Sequence, residues 1–159
     1  MGDSCNSLPA NSLRGVDLTI STSFDERPPV RHSLTGVRLR KHADYQRAYA
    51  ASRKRQSASM NWFLAPQQPA WDGAELPEGP RVGLTAGKVL GKAHERNRLK
   101  RRMREALRRH ADLLPAGCDL ILHPRRTVLT IDFVKLEAEV VRILHQANAE
   151  AARMSKPLL

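Results

Sequence analysis

The sequence predicts one α+β domain, a sheet with helices packed on a single face. Three observations carry this expectation. Segments with the two-residue period of a strand alternate with segments at the 3.6-residue period of a helix. The 159 residues amount to about one domain, and 41% of them are apolar, enough for a core without disulfides. The two cysteines, Cys5 and Cys118, have the spacing of neither a metal site nor a disulfide framework.

Residues 1–33 are rich in Ser, Asn, Asp and Pro and show no apolar period, so a mobile tail is expected there. Leu39–Ala51 reads as a short helix with Tyr45 and Tyr49 on one face, beside Ala48. Ser52–Ser59, carrying Arg53, Lys54 and Arg55, reads as a loop. Asn61–Ala65 reads as a strand, in which the neighbours Trp62 and Phe63 must face opposite sides. Residues 66–80 hold four prolines, two glycines and three acids, the chemistry of a loop. Arg81–Thr85 alternates like a strand, with Val82 and Leu84 on one face, and Ala86–Gly91 is a turn.

The strongest helical pattern follows. Leu99, Met103, Ala106, Leu107 and His110 form one stripe, and Asn97, Lys100, Arg101, Arg104 and Arg108 cover the side opposite. Pro115-Ala-Gly ends that region, and Cys118–His123 is a strand. Thr130 or Asp132 caps a last helix whose stripe is Phe133, Leu136, Val140 and Leu144. The chain beyond Ala149 is expected to fray. The domain is thus expected over 34–148, between tails at 1–33 and 149–159. Its order is helix, two or three strands, helix, strand, helix, which packs naturally as helices on a sheet.

Charge narrows the function. The net charge of +11 is concentrated in two blocks, +6 over 34–65 and +8 over 88–110. The second block carries ten Lys and Arg against Glu95 and Glu105 alone, six of the ten falling between Arg96 and Arg104. A face so crowded repels itself until an anion screens it. Arginine suits phosphate because its planar fork donates two hydrogen bonds at once, and Asn97 adds a group able to meet a base edge or a 2′-hydroxyl. A merely solvated face would carry more acid. A membrane-surface helix stays open as an alternative, although this apolar stripe has small and medium residues and no Trp or Phe. Tyr45 and Tyr49 have two readings from the residues alone, stacking platforms for unpaired bases or core aromatics.

Several other chemistries are excluded. Gly83–Lys88 imitates a phosphate loop, but only three residues separate its glycines, and Val89 stands where Ser or Thr is required. None of the six histidines has the i, i+4 partner of a helical metal site. No paired carboxylates or nucleophile motif stand out. No stretch reaches the roughly 20 apolar residues of a membrane span, and no signal-peptide core opens the chain, so the cytoplasm is the expected compartment.

The run Gly91–Arg109 resembles the signature of the protein subunit of bacterial ribonuclease P. The matching residues are Lys88, Gly91, Ala93, Arg96, Asn97, Arg98, Lys100, Arg101, Arg104 and Glu105. The segments from Leu39, from Arg81 and from Cys118 resemble the family's first helix, the strand before the signature and the last strand. The resemblance implies a two-layer αβββαβα domain with a four-stranded sheet and a left-handed βαβ crossover, against the common right-handed rule. It implies a non-catalytic subunit of an endoribonuclease, one protein per RNA, binding the catalytic ribonuclease P RNA and the 5′ leader of precursor tRNA in tRNA 5′-end maturation. The Mg²⁺ would be held by RNA and substrate. Carried over, the RNA-binding residues are Lys88, Lys92, Arg96, Asn97, Arg98, Lys100, Arg101, Arg104 and Arg108. The leader cleft falls on Tyr45, Tyr49, Phe63 and Thr85. A ribosomal-type structural RNA-binding protein and a helix-based DNA-binding regulator are the other readings of the basic helix.

Overall fold

The computed structural model describes residues 34, 36–69, 72, 73, 75, 76 and 79–156. The tail expected over 1–33 lies outside them. The elements follow as α1 (His42–Ala51), β1 (Lys54–Gln56), β2 (Met60–Pro66), β3 (Arg81–Leu84), α2 (Ala93–Arg109), β4 (Cys118–Pro124) and α3 (Phe133–Ser155). This is the αβββαβα order. One sheet runs β1-β2-β4-β3. The β1–β2 and β2–β4 pairs are antiparallel, whereas β3 and β4, joined through α2, are parallel with Val82 opposite Leu120 and Leu84 opposite Leu122. Beyond β3, the Val82 N–H donates to Val37 O (2.7 Å) and the Leu39 N–H to Val82 O (2.9 Å), so the incoming chain covers that edge.

Alternation along β2 and β4 divides the core. Met60, Trp62, Leu64, Leu120 and Leu122 face α2 and α3 and form the main core with Leu99, Met103, Leu107, Leu136, Val140, Ile143 and Leu144. Phe63, Ala65 and Ile121 point the other way, where Leu39, Ala48, Tyr45 and Tyr49 pack on them. Helices on a single face is therefore right for α2 and α3 and wrong for α1. The reason is local: apolar side chains at adjacent positions of a strand give the sheet two faces to cover. Beside α1, the Arg81 guanidinium donates two bonds to the buried Asp119 carboxylate (2.8 and 2.7 Å) and lies 3.5 Å from Asp44.

Two further expectations are corrected. Ser52–Ser59 is not all loop, because Lys54–Gln56 pairs with β2 as an edge strand, with Lys54 opposite Phe63 and Gln56 opposite Asn61. Backbone pairing needs no apolar side chain, and charged side chains are what an exposed edge tolerates. Nor does a tail begin at 149. The last helix continues to Ser155, with Ala147 buried, Ala151 against the core and Glu150 paired to Arg55 at 2.5 Å. Asp132 occupies the N-cap position of α3, but its side chain makes no capping bond.

Glu139 ties α3 to the β1–β2 turn. Its carboxylate accepts from the Ser57 and Ser59 hydroxyls and from the Ser59 N–H (2.8 Å). Burial pushes the carboxyl upward, but those hydrogen bonds outweigh it and hold it below its ordinary value. A depressed carboxyl stabilises the fold above its unfolded pKa of about 4.3 and loses that contribution as pH falls through the folded value. Glu139→Gln is expected to cost about 2 kcal/mol at pH 7 in urea unfolding. The gap to the unsubstituted protein should close as pH falls from the unfolded value through the lowered folded one.

Candidate nucleic-acid interface

The basic helix starts where it does because of Gly91 and Glu95. Lys92, at the N-cap, offers no capping acceptor, so the Glu95 carboxylate accepts the Lys92 N–H instead (2.8 Å). That hydrogen bond first, with Arg126 nearby, holds the Glu95 carboxyl below its usual range. Gly91 has φ +123°, and a Cβ there would fall 2.1 Å from a Glu95 oxygen. The backbone therefore requires glycine here, and a side chain would in addition push the Glu95 carboxylate off the Lys92 N–H.

Leu99, Met103, Ala106 and Leu107 are buried as the stripe predicts, with His110 half-buried beyond them. The cations then divide into two groups. Arg102 points inward and donates to Val128 O (2.7 Å), Leu129 O (2.8 Å) and Ile131 O, holding the turn before α3. Arg109 pairs with Glu105 and Glu137 and lies 4.8 Å over the Phe133 ring. Both serve the fold. Lys88, Lys92, Asn97, Arg98 and Arg101 are exposed; Arg96, Lys100, Arg104 and Arg108 are half-buried, Arg108 lying 3.7 Å from Glu105. The Nε atoms of Arg96 and Arg104 are buried without hydrogen-bond partners. Burial, with Arg38 nearby, lowers the pKa of Arg104. An anion at this face would relieve both penalties.

Beside this face lies a groove of about 420 Å³, lined by Tyr45, Gln46, Tyr49, Leu84, Thr85 and Lys100, among others. Lys100 joins the basic helix to the aromatic patch, which the sequence keeps as two separate surfaces. Tyr49 is the hub of the patch. Its ring meets Phe63 edge-on at 5.1 Å, and its hydroxyl lies 2.5 Å from His123 Nε2 and 3.3 Å from Thr85 Oγ1. The four residues assigned to a leader cleft therefore fall in one cluster. His123 was missed. Its signal was available: in β4 it alternates with Ile121 and Asp119, away from Leu120 and Leu122. Burial, then the charge of Lys54, lowers its pKa, so the ring is neutral at pH 7. Tyr45 donates to Leu39 O (3.3 Å), and burial, with Tyr49 beside it, raises its pKa, so both groups present neutral surface.

Gly83 makes room for this patch. A Cβ there would lie 2.7 Å from the Tyr45 ring. Because Tyr45 is only half-buried, Gly83→Ala should fold and swing the ring outward. The expected result is about a fivefold loss of affinity for single-stranded RNA, measured by fluorescence anisotropy, with helical content unchanged.

Among the described residues, no three His, Cys, Asp or Glu side chains gather as a metal site, and no helix is long and apolar enough to cross a membrane. The family model described as Ribonuclease P matches residues 35–148. A ribonuclease P protein component of Chloroflexus aggregans is 36% identical over 111 residues, covering 69% of this chain and 76% of the relative. That of Thermobifida fusca is 32% identical over 105 residues, covering 65% and 70%. In fold, the chain is similar to the RNase P protein from Thermotoga maritima, with a TM-score of 0.56 and 24% identity over 69% of this chain and 96% of that one. A Staphylococcus aureus RNase P protein gives a TM-score of 0.54 and 23% identity over 69% and 94%.

Proposed function

The chain belongs to the ribonuclease P protein family, and from that premise we propose that it is the RNA-binding subunit of the endoribonuclease that removes the 5′ leader of precursor tRNA. The observation that carries the reading is the junction at Lys100, where a helix face of cations adjoins a groove of half-buried aromatics. Duplex-like RNA calls for cations spaced along phosphates, whereas a single strand calls for rings on which bases stack. One chain offers both, side by side.

In this reading Arg96, Arg98, Lys100, Arg101 and Arg104 neutralise phosphates of the ribonuclease P RNA. Asn97 orients that contact, and Lys88, Lys92 and Arg108 extend it. Tyr45, Tyr49, Phe63 and Thr85 hold the leader, with His123 fixing Tyr49. In this reading the phosphodiester chemistry belongs to the RNA subunit, and Mg²⁺ held by RNA and substrate, not by this chain, would supply the activated water. The protein lowers the repulsion between the two RNAs. One protein per RNA, acting in the cytoplasm, completes the reading.

Reconstitution tests it. The purified chain is expected to raise cleavage of precursor tRNA by its RNA partner at low Mg²⁺, with a gain that grows with leader length. No gain would reject the assignment. A gain indifferent to the leader would leave only a structural RNA-binding role.

A further inference from the structure

The first cationic block is not accounted for by the basic helix or the aromatic groove. Part of it, Arg53, Lys54 and Arg55, lies exposed at the free edge of the sheet. There a second groove of about 480 Å³ opens between β1 and the end of α3. Arg55 and Gln56 line it from β1, and Gln146, Glu150 and Arg153 from α3, with Trp62 among its walls. Arg55 sits 5.5 Å from the centre of the Trp62 ring. Trp62 is 2% exposed, and its indole Nε1 is buried with no hydrogen-bond partner.

We propose that this groove takes a second stretch of single-stranded RNA, bound through its phosphates, independently of the basic helix. The proposal rests on the reading of this chain as an RNA-binding subunit. Three physical points support it. A buried indole N–H without an acceptor is costly, and a phosphate or ribose oxygen drawn in beside Arg55 would supply one. The Arg55–Glu150 pair is partly exposed; such pairs contribute little in water, so Arg55 exchanges its carboxylate for a phosphate at little cost. The lining is cationic and amide-rich, with no apolar pockets of the kind that give a strand-adding peptide its specificity, and a charged edge discourages strand addition.

The test uses the full chain and a transcript of its RNA partner, titrated by filter binding across salt concentrations. Arg55→Ala with Arg153→Ala is expected to weaken binding about tenfold at 0.1 M salt and to flatten the salt slope by about 1.4. Gln146→Glu, which leaves Arg55 and Trp62 in place, should weaken binding in the same direction. If both variants bind with the affinity and slope of the unsubstituted protein, the second site is rejected. Arg98→Ala with Arg101→Ala, measured alongside, separates the two levels. A loss there alone rejects the groove and keeps the RNA-binding reading, and no loss anywhere rejects both. Preferential binding of an oligoglutamate peptide over single-stranded RNA at this groove would also overturn the proposal.

Discussion

Replacing Arg98 and Arg101 together by alanine is expected to weaken binding of the partner RNA roughly 50-fold at 0.1 M salt and to flatten the salt slope by about 1.8. Both side chains are exposed on α2, and neither has an ion-pair partner among the described residues. Their removal therefore takes two phosphate contacts and little else. Neighbouring cations provide the control. Arg102→Ala strips three carbonyls of the turn before α3 of their donor, which should cost about 2 kcal/mol of stability. Its salt slope should stay unchanged once the protein is folded. The same helix is thus expected to divide cleanly, in a paired titration and urea unfolding series, into arginines that bind and arginines that hold. An unchanged slope for Arg98→Ala with Arg101→Ala would refute the assignment of this face.

That division shows what the sequence could and could not carry. The period of Leu99, Met103, Ala106 and Leu107 fixes which side of α2 is buried, and the structure agrees residue for residue. It says nothing of Arg102, whose role depends on carbonyls of Val128, Leu129 and Ile131, more than twenty-five positions away. Charge counting treats all six cations of the run alike, because partners distant in sequence are invisible to it. β1 escaped for a related reason: Lys54–Gln56 has no apolar side chain, and its pairing is a property of the backbone. His123 escapes because testing the histidines only for metal-ligand spacing, which none of them has, leaves aside its place on an alternating strand. The placement of α1 on the opposite face was within reach, since Trp62 and Phe63 already demanded two covered faces. Lys100 beside the tyrosines was not, since the approach of α2 to α1 depends on the crossover between β3 and β4.

Tyr45→Ala with Tyr49→Ala is expected to reduce affinity for leader-bearing precursor tRNA roughly 30-fold and to leave a leaderless tRNA unaffected, because each stacked base contributes about 1–3 kcal/mol. The rings also pack against Ala65 and Ile121, so a loss of stability must be told apart from a loss of contact. Tyr49→Phe makes that distinction. It keeps the ring, its edge-on contact with Phe63 and the stacking surface, and removes only the hydroxyl shared with His123 and Thr85. Near-normal leader affinity in Tyr49→Phe, with the loss confined to the alanine variants, would assign the effect to the ring faces. If Tyr49→Phe loses as much as Tyr49→Ala, the hydrogen bond to His123 is what positions the strand, and stacking is secondary. The leader length at which the alanine variants part from the unsubstituted protein then measures how far the single strand reaches. If the groove beside Lys100 is where the leader enters, that length is the shortest leader able to span from the basic helix to Tyr49. Alanine variants that keep full leader dependence at every length would move the leader to another surface.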